Sequence, residues 1–211
     1  GGPAAARVSY LDGTVFCWGP FDSEKRNLMI NDLIREGDEI YAAPGTFVEV
    51  EFPGANYLRL DEGSSVVVRS YHDDLHLVPS AGAFYLSTGD WTEAQIQFGP
   101  DGAEVASASL ARLTISPDGA RSMAVAYGLG RVLNHEATIE VADNQRVTAL
   151  DAAAPWTSDE FYPQDEENFD LWSLEREEHL RGVPQDDSPS YPLVGYSDLQ
   201  EHGNWITVDG V

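Results

Sequence analysis

Thr46-Phe47-Val48-Glu49-Val50-Glu51-Phe52 alternates apolar and acidic residues with a period of two. Successive side chains of a strand point to opposite faces, so the stretch predicts a strand with Val48, Val50 and Phe52 buried and Glu49 and Glu51 outward. Phe47 shares a face with neither Val48 nor Val50, so the segment starts inside a turn. Similar short runs flank it: Arg7–Phe16, Tyr57–Leu60, Ser65–Ser70, Leu75–Val78, Ala94–Phe98, Ala108–Ser116, Ser122–Tyr127, Arg131–Leu133, Ala137–Val141 and Gln145–Leu150. Asp12-Gly13, Pro53-Gly54, Glu62-Gly63, Asp101-Gly102, Asp118-Gly119 and Asp143-Asn144 punctuate them. Asp-Gly between alternating runs is a hairpin signal, because its turn needs positive φ. Many short strands without intervening helices predict an all-β fold, an antiparallel sandwich or roll.

The 211 residues carry 36 Asp+Glu against 12 Lys+Arg, a formal charge of −24. That charge repels phosphate backbones and anionic membrane surfaces, so nucleic acid is not an expected partner. The 42% hydrophobic fraction, with 5 Trp, 9 Tyr and 8 Phe, suffices for a core. No apolar stretch approaches the roughly 18–20 residues of a membrane-spanning helix. One cysteine, Cys17, allows no intramolecular disulfide and leaves a cysteine-based zinc site without partners.

The acid is unevenly spread. Residues 1–150 hold 21 Asp+Glu and 10 Lys+Arg, a net of −11, while residues 151–211 hold 15 and 2, a net of −13. Composition changes at Ala152-Ala153-Ala154-Pro155, which predicts a boundary between a β domain over 7–151 and an acidic, aromatic, irregular arm over 152–211. Residues 1–6 read as a linker or expression scar. Within the arm, about 165–181 predicts a helix that opens on acids and closes on His179 and Arg181, complementing its dipole, with Gly182 and Pro184 as the stop. Phe169, Trp172 and Arg176 share one stripe of it. A second short helical or turn segment is expected at Ser197–Glu201.

Candidate chemistry is sparse. His72-Asp73-Asp74-Leu75-His76 is the one dense set of metal-ligand types, and His72, Asp74 and His76 would have to converge to hold an ion; a solvated hairpin tip explains the same residues. Asp159-Glu160 and Asp165-Glu166-Glu167 supply oxygen ligands of the kind calcium takes, but without EF-hand spacing, and a helix start already favours acids. No carboxylate pair stands in a glycosidase-like context. No G-x-S-x-G elbow is present, and Ser64, Ser65, Ser107 and Ser109 flank turns or strands. Cys17, between Phe16 and Trp18, reads as a small buried hydrophobe. Gly128-Leu129-Gly130 lacks a third glycine and reads as a turn. No cofactor and no catalytic residue are expected. Trp156, Phe161, Tyr162, Phe169 and Trp172 are dense for an acidic segment. They suit either an arm fastened to the sheet or an exposed face for a protein or a sugar.

Three stretches carry a family resemblance: Gly37-Asp38-Glu39-Ile40, Pro44-Gly45-Thr46-Phe47-Val48-Glu49-Val50, and Tyr57-Leu58-Arg59-Leu60-Asp61-Glu62-Gly63-Ser64-Ser65-Val66. Together they resemble the core of the FecR-type domain. Arg131–Val141 and Gln145–Leu150 are similar to its closing strands, though His135-Glu136-Ala137 stands where Gly-Glu-Ala is usual and Leu150-Asp151 replaces Ala-Gly. In the arm, Phe169-Asp170-x-Trp172-x-x-x-Arg176 followed by Gly195-Tyr196-x-Asp198-Leu199-x-x-x-Gly203-x-Trp205 resembles a segment found beside FecR-like domains in bacterial envelope proteins.

This resemblance implies a non-enzymatic module of the bacterial periplasm or cell surface, engaged in protein interaction, sensing or regulation. Its expected partner is another envelope protein or a cell-wall polymer. A removed signal peptide or lipid anchor, and a continuation beyond Val211, are expected. The rival expectation is a cell-wall or polysaccharide-binding module using the arm's aromatics. A calcium-dependent structural domain is a third. The sequence leaves open whether Trp156, Phe161, Tyr162, Phe169, Trp172 and Arg176 dock the arm or face a partner.

Overall fold

A computed structural model describes residues 5–181. Seventeen strands and one α-helix make up this part. In chain order the strands are β1 (Ala6–Asp12), β2 (Val15–Trp18), β3 (Arg26–Asn27), β4 (Leu33–Ile34), β5 (Glu39–Ala42), β6 (Phe47–Phe52), β7 (Asn56–Leu60), β8 (Ser65–Ser70) and β9 (Leu75–Ser87). There follow β10 (Ala94–Phe98), β11 (Asp101–Val105), β12 (Leu110–Ile115), β13 (Arg121–Tyr127), β14 (Gly130–Leu133), β15 (Thr138–Val141), β16 (Gln145–Ala149) and β17 (Thr157–Glu160). A 3-10 turn at Pro163–Asp165 leads into α1 (Asn168–Arg181).

The strands form two facing sheets. Sheet A runs β4-β1-β6-β7-β9-β12-β13-β16-β17, and sheet B runs β3-β2-β5-β8-β9-β10-β11-β14-β15. Every pairing is antiparallel except β9 with β10. The 13-residue β9 belongs to both sheets: its first half pairs with β8 and β10, its second with β7 and β12. Between the sheets lies one core, with Val8, Val50, Leu58, Leu86 and Leu113 from sheet A meeting Ile40, Val66, Leu77, Ile96 and Val132 from sheet B. Each such aliphatic side chain contributes about 1.5–3 kcal/mol by leaving water.

Strands change sheet at corners built alike. At Gly82, where β9 passes between sheets, φ is +99°, and an added Cβ would stand 2.5 Å from the Ser64 Cα. Only glycine tolerates that approach. The Ser64 hydroxyl beneath it donates to the Ala83 carbonyl at 2.8 Å and accepts from the Ala83 N–H at 3.0 Å. Gly13 over Thr46 and Gly128 over Ser109 repeat the arrangement, the next residue's N–H donating to the hydroxyl at 2.9 and 3.0 Å.

Several expectations shift. Arg7–Phe16 is two strands in different sheets, because Gly13 turns the chain through a corner. Asp101-Gly102 lies inside β11, not in a turn. The arm is not irregular at its start: β17 pairs with β16 and extends sheet A. The helix begins at Asn168, three residues later than 165, because Pro163 holds a separate 3-10 turn before it. Ser197–Glu201 and the Gly195–Trp205 motif lie outside the described residues.

Candidate functional site

The outward face of sheet A is where the molecule concentrates its buried charge. α1 lies across it. Phe169, Asp170, Trp172, Ser173, Glu177 and Leu180 form its buried stripe, spaced three or four residues apart as one helix face requires. Half of that stripe is polar, matching the sheet beneath it. Glu167 occupies the N-cap, and its N–H donates to Asp170 Oδ2 at 3.1 Å, as in a capping box.

Arg59 of β7 is the hub, fully buried. Its Nε donates to Glu49 Oε2 at 2.9 Å, its Nη2 lies 2.8 Å from Glu177 Oε2, and its Nη1 donates to the Ser173 hydroxyl at 3.1 Å. Glu49 of β6 is also taken by Arg176 at 2.8 Å and by the Ser9 hydroxyl at 2.7 Å. Glu177 accepts from the Ser87 and Tyr127 hydroxyls and pairs with Arg181. Arg181 in turn donates to Ser87 Oγ and to the Ala55 and Thr88 carbonyls. Toward the other end of α1, Asp170 accepts from Arg112 Nε at 2.8 Å and from the Tyr85 hydroxyl.

Burial acts to raise the Glu49 and Glu177 carboxyls, but Arg59 and the second arginine beside each outweigh it and hold both below the usual carboxylate range. The phenols respond oppositely. Burial and Glu177 push Tyr127 up to about 12, and burial and Asp170 push Tyr85 higher. At neutral pH the network is therefore carboxylate, guanidinium and neutral phenol. Every titrating group in it serves to fasten the helix.

Aromatic packing completes the seat. Trp172 stacks on Phe47 at 5.0 Å between ring centroids and meets Tyr10 at 5.2 Å, while Phe169 meets Tyr85 at 5.4 Å. Arg176 stands 5.1 Å from the Tyr10 ring. Phe161 is buried in the same cluster. Trp156 lies elsewhere, half-buried against Phe98 and the Arg121 guanidinium. Tyr162, at 37% exposure, is the most open of the six.

The remaining candidates scatter. His72 and Asp74 line a groove of about 140 Å³ with Tyr71 and Trp91, whereas His76 lines a different one on the outer face of sheet B. Among the described residues no three ligand-type side chains converge on an ion position. Asp159 and Glu166 both pair with Arg146, at 2.5 and 3.3 Å, so a guanidinium stands where calcium was considered. Burial raises the Cys17 thiol to about 12, with Asp38 adding to it, which leaves no thiolate at neutral pH. A groove of about 600 Å³ at the start of α1, lined by Asp12, Asp61, Glu62, Glu167, Phe47 and Phe169, is the most spacious of those described.

Arg59 was missed as a functional residue, and the outward Glu49 and Glu51 are buried, Glu51 against Arg7 at 2.7 Å. A signal existed: Glu49 and Arg59 are direct cross-strand partners, and opposite charges on facing positions of neighbouring strands mark a pair.

No family model matches the chain, and no curated protein does. Among solved structures, two crystal structures titled as a "putative anti-sigma factor" from Parabacteroides distasonis ATCC 8503 match with a TM-score of 0.51 at 12% identity. The match covers 58% of this chain and 59% of the solved one, so this chain spans under two thirds of the length it matches. At that identity the likeness is one of fold.

Proposed function

We propose that the chain is a non-enzymatic sensing or protein-interaction module of FecR type, exported to the bacterial periplasm or cell surface and working in regulation. One observation carries the reading. Two of the three stretches that resemble the family's core meet the helix motif on one face of sheet A, Phe47 stacking on Trp172 and Glu49, itself held by Arg59, accepting from Arg176. Motifs far apart in the chain thus serve a single purpose, seating the helix. The fold likeness to a solved protein described as an anti-sigma factor supports a regulatory role.

The rival cell-wall reading relied on exposed aromatics in the arm. Phe161, Phe169 and Trp172 are buried, and Trp156 is stacked on Phe98, so most of those rings are already engaged. Cross-linking in the host bacterium tests the proposal. The chain is expected in the periplasmic or surface fraction, joined to one defined envelope protein. Recovery from the cytoplasm, cross-links confined to peptidoglycan, or glycan hydrolysis by the purified chain would overturn it.

A further inference from the structure

No described element covers the outer face of sheet B. Phe16 and Trp18 of β2, Tyr41 of β5, Val67 of β8 and Val78 of β9 form a half-buried stripe across it. Register makes the stripe continuous, with Phe16 opposite Tyr41, Trp18 opposite Glu39, and Val67 opposite both Glu39 and Val78.

The positive charge of the chain is distributed in a telling way. All 12 Lys and Arg fall within residues 1–181. Arg7, Arg26, Arg59, Arg112, Arg121, Arg131, Arg146, Arg176 and Arg181 each pair with a carboxylate. Lys25, Arg35 and Arg69 have no such partner among the described residues, and all three border this stripe. Lys25 Nζ lies 4.6 Å from the centroid of the Phe16 ring. Arg69, two residues along β8 from Val67, lines a groove of about 240 Å³ with His76, Gln95, Asp101 and Glu104, the last two already paired with Arg121 and Arg131. Arg35 sits in the turn whose Gly37 N–H donates to the Val68 carbonyl of β8 at 2.7 Å. Glu39, the carboxylate within the stripe, accepts from the Ser65 hydroxyl at 2.8 Å.

An aromatic and aliphatic centre with cations at its border has the anatomy of a protein interface. We propose that the β2-β5-β8-β9 part of sheet B docks an acidic segment of a partner protein, with apolar side chains between its carboxylates. The overall −24 charge opposes an anionic bilayer, whereas at physiological salt a short acidic segment feels mainly the charges within about 8 Å. The inference rests on the protein-interaction reading above and adds where the contact is made and with what chemistry.

A labelled synthetic peptide alternating Glu with Leu or Phe serves as the probe, with its Glu→Lys counterpart as control, both added to the full chain and followed by anisotropy. The acidic peptide is expected to bind saturably and to weaken with salt. Combined K25E and R69E, with an unchanged melting temperature, should weaken it about tenfold or more. Lys25 is the single lysine of the chain, so carbodiimide should couple the peptide's carboxylates to that residue. Equal binding of the lysine peptide, absence of saturable binding, displacement by muropeptides, or coupling of Lys25 only to a second copy of the chain would each overturn the surface. If the peptide fails while in-cell cross-linking still yields one envelope protein, the surface is wrong and the protein-interaction reading stands.

Discussion

At the scale of single residues, Arg59 decides how the molecule holds together. Its guanidinium is buried between Glu49 and Glu177, and two desolvated carboxylates depend on it. Removing one member of such a group leaves uncompensated buried charge, which costs about 3–5 kcal/mol. Arg59→Met should therefore lower the melting temperature by roughly 10 °C in calorimetry, given the few degrees per kcal/mol typical of this size. Exposed Arg35 is the control, and its change to Met should leave the midpoint nearly unmoved. Similar losses from both variants would refute the hub role. Replacing Glu49, Arg59 and Glu177 together by apolar residues should recover part of the loss, since the charges left without partners, Arg176 and Arg181, are partly open to solvent.

At the scale of elements, α1 is held by ionised carboxylates, and this makes its docking sensitive to acid. Glu49 and Glu177 titrate in the folded protein below the value of about 4.3 that glutamate has in an unfolded chain. Their contribution is complete above that value and is lost as the pH falls through their lower folded values. Asp61 runs the other way, since burial raises its carboxyl. Urea midpoints should be flat from about pH 6 to 8 and decline steeply below about pH 4, with Trp172 emission shifting to the red as the helix lifts. A midpoint unchanged down to pH 3 would rule out the ionic seat. The sequence made the helix visible through its end charges and the Phe169–Trp172 spacing. It did not make the docking visible, because the surface that α1 covers is assembled from strands far apart in the chain. Glu49 reads as solvated in its own strand and is buried only once residues more than a hundred positions later arrive. The two-residue strands β3 and β4 were likewise unreadable, since too few residues alternate to show a period.

At the scale of the whole molecule, the sandwich forms despite strong self-repulsion. Nine of the 12 cations are committed to ion pairs, so most of the acid among the described residues has no ion-pair partner. Salt screens exposed charges over distances beyond a few ångströms and leaves buried pairs largely unaffected. Raising sodium chloride from about 0.01 to 1 M should raise the melting temperature of the parent, while the drop caused by Arg59→Met stays constant. A drop that shrank with salt would place the network in contact with solvent. The all-β class was legible because alternation and turn residues are local signals; the sheet order was not, because it rests on corners such as Gly82 over Ser64, whose partners lie 18 residues apart. The strand that turns that corner carries a mechanical implication. β9 is one covalent backbone with Val78 on the open face of sheet B and Ser87 beneath α1, hydrogen-bonded to Glu177. A tug on the first end is delivered to the second without passing through side-chain packing, so the two faces of the sandwich are geared to one shaft.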